Sequence, residues 1–145
     1  MSVTLTANYT EFLATATVEK IDELVDDNYA LDDILEFVDN HGESDFVAYY
    51  EEYVRVGDII GFEAVDALIK EMGAVSYIED CDERYRGFYH NEAEFAEEYY
   101  NELNGEVDSF LVVDWEATWE QNLRYDFTAC DDGSSYRSCH IFADN

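Results

Sequence analysis

Acidic side chains outnumber basic ones by 36 to 7 in this chain, which gives a formal net charge of −29 over 145 residues. Like charges repel one another in a compact molecule, so an excess of this size works against folding. Strongly charged chains of low hydrophobicity stay disordered because they bury too little surface. Here, however, 48 % of the residues are hydrophobic, with 12 Tyr, 9 Phe and 2 Trp. The sequence therefore predicts a folded protein with a packed core and an acidic surface.

The size of this charge is comparable with that of a short DNA duplex. Duplex DNA carries one charge per about 1.7 Å of its axis, so the net charge of −29 corresponds to about 49 Å of duplex. A compact chain of this length has a diameter of about 38 Å. A modestly elongated molecule would therefore carry about the charge of the duplex that it could replace. We expect a basic DNA-binding groove as its partner, and neither nucleic acid nor an anionic membrane.

The sequence also predicts where the protein resides. No apolar run approaches the 18 residues of a membrane span. The opening residues, MSVTLTANYTEF, lack the basic and then apolar order of a secretory signal. Cys81, Cys130 and Cys139 are odd in number and form no C-x-x-C pair, which favours free thiols in a reducing compartment. We therefore expect a cytoplasmic protein.

Helical spacing of apolar residues dominates the first half of the chain. It predicts four helices, over residues 17–25, 31–41, 44–54 and 62–72. Thr17 and Ser44 are typical N-caps for the first and third helices, and a glycine directly follows the second and the fourth. Gly57 and Gly61 predict a short break before the fourth helix. Residues 1–16 predict a short strand or a terminal arm.

The second half mixes helical and strand-like patterns. Asn91 and Glu94 have the spacing of a capping box and predict a helix that ends at Gly105. Asp114 is a typical cap for a helix that carries Trp115. Residues 74–86 are ambiguous between helix and strand, and we favour a helix there.

Strands are predicted nearer the end of the chain. Residues 110–113 are short, apolar and β-branched, which is typical of a strand. Residues 125–130 and 136–142 flank a loop of Asp, Gly and Ser, which predicts a β-hairpin. The predicted fold class is α+β, acidic and elongated. It has a mainly helical region over residues 1–73 and a small α+β region with the hairpin over residues 74–145.

Carboxylates occupy the helix faces opposite the apolar stripes. Asp32, Glu36 and Asp39 recur at i, i+4 and i+7, and no Lys or Arg lies between residues 31 and 42. Like charges at this spacing destabilise an isolated helix by a few tenths of a kcal/mol per pair, so their repetition indicates a use. Ten carboxylates are predicted to form a phosphate-mimicking acidic surface: Asp32, Glu36, Asp39, Asp45, Glu51, Glu52, Glu94, Glu97, Glu98 and Glu102.

The sequence contains no specific motif for catalysis or metal binding. Pairs of carboxylates are uninformative among 36 acids, and the acidic run over residues 79–83 lacks the glycine and glutamate spacing of a calcium loop. Cys130, Cys139 and His140 could approach one another across the hairpin, but they lack the paired spacing and the fourth ligand of a zinc site. We expect no enzyme activity, no catalytic residue, no cofactor and no specific metal site.

Two stretches of the chain follow recognisable patterns. Residues 85–98 read YRGFYHNEAEFAEE, against the pattern Y-x-G-x-[YF]-x-[SN]-x-x-[DE]-F-A-E-E. Residues 113–119 read VDWEATW and precede Asn122 and Leu123, against [IF]-D-[YW]-E-x-[YFW]-x-x-[DN]-L. Both stretches resemble segments of the ArdA antirestriction proteins. The likeness extends over about residues 28–142, and these two stretches are its specific part.

This resemblance implies a DNA-shaped acidic protein, often dimeric, in a bacterial host cytoplasm. It implies occupancy of the DNA-binding groove of type I restriction–modification enzymes, and it allows a homodimer. The N-terminal β-rich domain of the family is shortened or missing in this chain, and residues 54–73 fit the family poorly.

The residues alone leave two alternatives open. A DNA mimic could instead inhibit a CRISPR effector, a DNA glycosylase, a nucleoid protein or another phage-defence system. An acidic halophilic or scaffold protein would have no DNA-related target, and it would lose its structure at low salt. The tyrosines near the acids are compatible with core packing or with an apolar contact patch.

Overall fold

The computed structural model describes residues 13–134 and 138–144, so the predicted N-terminal arm lies largely outside the described residues. The chain forms two compact units, one up to Arg55 and the other from Val56 onward. The sequence places the boundary later, after Gly73. The difference arises because the helix over residues 62–72 packs on the sheet of the second unit.

Helix α1, Thr15–Asp26, opens the first unit. Its N-cap is Ala14, so the prediction that Thr17 caps it is wrong. Thr17 instead lies buried within the helix, and its hydroxyl donates a hydrogen bond of 2.7 Å to Glu43 Oε1. The Ala14 N–H donates to the same oxygen at 2.9 Å. These two hydrogen bonds lower the pKa of the Glu43 carboxyl.

The next two helices follow one another with a single residue between them. Helix α2 is Leu31–His41, as predicted, and Gly42 ends it with a φ of 92°. Helix α3 is Glu43–Ile60 and begins directly afterwards, so Ser44 lies inside the helix and the prediction of a Ser44 cap is wrong. Glu43 and Asp45, the acids of its first turn, suit the positive end of the helix dipole.

Helix α3 continues through Gly57, where a break was expected, and Gly61 alone separates it from the next helix. The ring of Phe62 lies over Gly57, and a Cβ at this position would come within 2.2 Å of Phe62 Cε1. Gly57 therefore allows close approach of a side chain and is not a helix stop. Gly61, with a φ of 95°, has the conformation that ends a helix.

Aromatic rings form much of the core of the first unit. Phe37 lies 5.1 Å from Tyr50 and 5.0 Å from Tyr53 between ring centroids, and Phe46 lies 5.3 Å from Tyr50. The ring of His41, the last residue of α2, lies 4.6 Å from that of Phe37 between centroids, tilted by 47°. Burial raises the pKa of Tyr50 to about 12. Tyr50 and Tyr53 therefore serve core packing in this unit.

The second unit contains the α+β part of the fold, which the sequence predicted. Its elements in chain order are α4 Phe62–Met72, a 3₁₀ helix Val75–Ile78, α5 Cys81–Arg84, β1 Tyr85–Tyr89, α6 Glu92–Asn104, α7 Trp115–Gln121, a 3₁₀ helix Leu123–Tyr125, β2 Phe127–Asp131 and β3 Cys139–Ala143. The three strands form an antiparallel sheet in the order β1-β3-β2.

The hairpin is confirmed, with strand β2 shifted by two residues at its start and the connection over residues 132–138. Strand β1 was not predicted, because the sequence favoured a helix over residues 74–86. Only the two short helices before Tyr85 agree with that prediction. Its pairing with β3 contains an irregularity between Tyr85 and Gly87, where Gly87 has a φ of 122°. Such a bulge lets the strand bend at its entry.

Helices cover both faces of this sheet. On one face, α6 and α7 supply Phe95 and Trp119, which pack with Tyr89, Phe127 and Ile141. On the other face, α4 packs against β2, and buried Val65 and Leu68 lie on this helix. The two caps predicted in this unit are confirmed. Asn91 Oδ1 accepts the Glu94 N–H at 2.8 Å, and Asp114 Oδ1 accepts the Ala117 N–H at 3.0 Å.

The strand expected over residues 110–113 does not form. This stretch is irregular, and Phe110 and Val112 are 93 % and 99 % exposed. Its composition suits a strand, but residues 85–89 and 127–131 occupy both sides of the central strand β3. Within the described ranges, no helix is both long and apolar enough to cross a membrane.

Candidate functional site

The densest set of predicted carboxylates lies on one side of helix α6. Glu94, Glu97, Glu98 and Glu102 are exposed and, together with Asn101, line an open groove of about 410 Å³. We call these four glutamates the α6 acidic stripe. They span eight residues, or about 12 Å of helix, which places one charge per about 4 Å. A single DNA strand carries one charge per 3.4 Å of the duplex axis, so the two spacings are similar.

The opposite side of α6 fixes this stripe to the core. Phe95 is 3 % exposed and Ala96 is fully buried. The ring of Phe95 lies 5.2 Å from Tyr89, 5.0 Å from Phe127 and 6.1 Å from Trp119 between centroids. Burying a large aromatic side chain contributes about 2–3 kcal/mol, which exceeds the few tenths that each like-charge pair on the helix costs. Packing therefore holds the glutamates in place despite their repulsion.

Neutral groups of the chain donate hydrogen bonds to two glutamates of the stripe. The Tyr89 hydroxyl donates a hydrogen bond of 3.1 Å to Glu98 Oε1. Burial, together with the hydrogen bond to Glu98 and the charges of Glu98, Glu102 and Glu94, raises the pKa of Tyr89 to about 12. Glu94 Oε1 also accepts the His90 N–H at 3.3 Å. Among the described residues, no basic side chain forms an ion pair with the stripe.

A second set of predicted carboxylates lies in the first unit. Asp32, Glu36 and Asp39 are exposed on α2, at the spacing that the sequence indicates. Their span of seven residues covers about 10 Å of helix. The structure therefore presents one acidic face in each unit.

The other three predicted carboxylates are either paired with a basic side chain or half-buried. Glu51 forms an ion pair with Lys20, and Glu52 holds Arg55 by two hydrogen bonds, of 2.7 and 2.6 Å. Asp45 is half-buried. Because Glu51 and Glu52 meet basic groups of their own chain, they contribute less negative field than exposed, unpaired carboxylates do.

Sequence reasoning missed three carboxylates on α1. Glu19, Glu23 and Asp26 are exposed and recur at i, i+4 and i+7. The same spacing identified the acids of α2. For α1, only the apolar residues of the segment were used, to predict the helix itself. Lys20 on the same helix lies near Glu23 and partly offsets its charge.

Several basic side chains bind groups of their own chain. Arg84 donates to the Ala143 carbonyl at 3.2 Å and to the Tyr77 carbonyl at 2.9 Å. Arg124 lies 3.6 Å from Glu120 on α7. Among residues 13–134 and 138–144, these arginines therefore bind groups outside the α6 acidic stripe.

The cysteines and histidine of the hairpin do not converge. Cys130 lies opposite His140 in the strand register, whereas Cys139 lies opposite Asp131. Neighbouring residues of a strand point to opposite faces, so Cys139 and His140 are on different sides of the sheet. His140 Nδ1 instead lies 2.9 Å from the Tyr85 hydroxyl, and burial lowers the pKa of this histidine. Across residues 13–134 and 138–144, no group of three potential metal ligands occurs.

No family model, curated protein or solved structure matches this chain. The two stretches whose patterns the sequence analysis describes fall on well-defined elements. Residues 85–98 cover β1 and the first turns of α6, including three glutamates of the α6 acidic stripe. Residues 113–119 cover the capping Asp114 and most of α7, which packs on α6. The two stretches therefore contribute the start of the acidic helix and the helix that packs on it.

Proposed function

We propose that this protein is a DNA mimic that inhibits a host defence enzyme, with a type I restriction–modification enzyme as its target. The observation that carries the proposal is the α6 acidic stripe, with four exposed glutamates at nearly the axial charge spacing of one DNA strand. The net charge of −29 and the resemblance to ArdA proteins support the same assignment.

The mechanism is competitive occupancy of a basic groove. Carboxylates on helix faces meet the Lys and Arg side chains that otherwise contact phosphates. The opposite charges of the two surfaces steer association, which should be fast and sensitive to salt. Helices that are packed on a core present the carboxylates in a fixed arrangement, so little order must be gained on binding. No base edges are presented, and contacts other than phosphate mimicry must select the target.

The proposal is tested by competition between this protein and DNA. A purified type I methyltransferase is loaded with a fluorescent duplex that contains its site, and this protein is titrated in at several salt concentrations. The apparent dissociation constant of the duplex should rise in proportion to the inhibitor concentration. The effect should weaken as salt increases, and the protein should not bind the duplex itself. A duplex that stays bound at low salt in a large excess of this protein would show that the proposal is wrong.

Two further measurements separate the alternatives. Capture from a bacterial lysate, followed by identification of the bound proteins, distinguishes a restriction enzyme from a CRISPR effector or a nucleoid protein. Circular dichroism at low salt distinguishes a DNA mimic, which should stay folded, from a halophilic protein, which should lose structure. Sedimentation of the purified protein tests whether it forms the homodimer that the resemblance allows.

A further inference from the structure

A turn after helix α6 exposes three consecutive large apolar residues. Phe110, Leu111 and Val112 are 93 %, 63 % and 99 % exposed. We call them the apolar turn. Single exposed apolar residues are ordinary on protein surfaces, whereas a consecutive exposed run is disfavoured unless it serves a function.

Hydrogen bonds of the backbone, rather than burial, hold the apolar turn in shape. The Phe110 N–H donates to Asp108 Oδ1 at 2.9 Å, and the Leu111 N–H donates to the Asp108 carbonyl at 2.9 Å. An Asp side chain that caps its own turn in this way restricts the local backbone. A partner that binds the turn therefore does not need to order it first, which favours affinity.

The charges beside the apolar turn define the chemistry of its partner. Glu106, Asp108, Asp114 and Glu116 bracket it in sequence and are all exposed. No Lys or Arg occurs between residues 87 and 123. A second copy of this chain would bring the same acidic border against it and would be repelled. A protein surface with an apolar pocket bordered by Lys and Arg has the complementary arrangement.

We infer that the apolar turn docks into an apolar pocket, bordered by basic residues, on the surface of the target enzyme near its DNA-binding groove. This inference rests on the proposed function and assigns it a source of specificity. Phosphate mimicry attracts any basic groove, whereas an aromatic side chain that fills a pocket selects one surface. Aromatic residues in the centre of an interface typically dominate its binding energy.

The test compares variants in the duplex-displacement assay with a type I methyltransferase. Phe110→Ser combined with Val112→Ser removes the apolar contacts, and Phe110→Leu retains an apolar side chain. Ile59→Ser is the matched control, because it removes a 59 % exposed apolar residue from α3. Thermal unfolding should be nearly unchanged in all three, since the altered side chains are exposed.

The concentration at which half of the duplex is displaced should be at least about tenfold higher for the double serine variant than for the parent, as expected for a truncated interface anchor. The dependence of inhibition on salt should keep its slope, because no charge is removed. Phe110→Leu and Ile59→Ser should inhibit nearly as well as the parent. Equal inhibition by the double variant and the parent would overturn the inference while leaving DNA mimicry intact. A parent dimer that the double variant dissociates would also overturn it, and a parent that displaces no duplex would overturn both proposals.

Discussion

Neutralising the α6 acidic stripe tests whether inhibition depends on where the negative charges lie or only on how many there are. The test compares two variants that lose the same number of charges. The variant carries Gln at positions 94, 97, 98 and 102 and therefore has four fewer negative charges. The control also loses four charges, through Asp58→Asn, Glu63→Gln, Glu71→Gln and Glu79→Gln. These four carboxylates are equally exposed, but they are spread over α3, α4 and a turn of the second unit.

The expected loss of affinity follows from the number of contacts. An exposed ion pair contributes about 0.2–1 kcal/mol, so four pairs with a basic groove contribute about 1–4 kcal/mol. This corresponds to about a fivefold to several-hundredfold weaker inhibition. The stripe variant should also show a shallower dependence of inhibition on salt, because fewer ionic contacts form. The control should lose only the small share that long-range attraction supplies.

The same variant should unfold less easily than the parent. The stripe contains three like-charge pairs at i, i+3 or i+4, and each costs about 0.2–0.5 kcal/mol, so their removal should stabilise the protein by about 1 kcal/mol. Urea unfolding measures this gain, and duplex displacement measures the loss of inhibition. Residues that lower the free energy of unfolding of a protein but raise its affinity for a target are characteristic of a functional surface. Equal loss of inhibition in the stripe variant and the control would refute the role of the stripe.

Three further predictions concern the fold. Gly57→Ala should destabilise the protein by about 1 kcal/mol because the new Cβ meets the Phe62 ring. In a Phe62→Ala background the same change should be stabilising, because the ring is absent and Ala favours a helix more than Gly does. Unfolding measurements that compare each Gly57→Ala variant with its own background test both expectations. Asn91→Ala should lower the free energy of unfolding by about 1 kcal/mol through loss of the cap on α6, whereas Asn91→Asp should restore most of it in the same assay. Burial raises the pKa of Cys130 and Cys139 from 9.0 to about 12, so their contribution to stability is fully present below pH 9 and is lost as pH rises from 9 to 12. Urea midpoints should fall over this interval, and a thiol reagent should leave both cysteines unmodified at neutral pH until the protein unfolds.

Local sequence signals predicted the helices of this protein well. The bounds of α2, α4 and α6 agree with prediction because each helix combines an apolar stripe with a glycine directly after its last residue. The caps Asn91 and Asp114 were also read correctly, since a side chain that accepts an N–H three residues later depends only on nearby sequence. The carboxylates of the α6 acidic stripe could be found for the same reason.

Contacts distant in sequence account for most of the errors. Tyr85 pairs with Phe142, and nothing in residues 74–89 alone indicates that a strand is available 50 residues later. The same missing information made residues 110–113 a plausible strand, although β1 and β2 already occupy both sides of β3. Gly57 stays within a helix because a ring packs over it, which its neighbours in sequence do not reveal. The pairing of Glu51 with Lys20 is likewise a tertiary contact.

The position of β3 in the sheet has a consequence for biosynthesis. It is the central strand and pairs with both others, yet it is the last of the three to be made. Strand β1 must wait for about 50 further residues, or about 3–10 s at ordinary translation rates. During this interval β1 and β2 have no central strand to join them, so the growing chain exposes the apolar surface that β3 later covers. The second unit should therefore depend on the ribosome or on chaperones more than helices α1 and α2 of the first unit do.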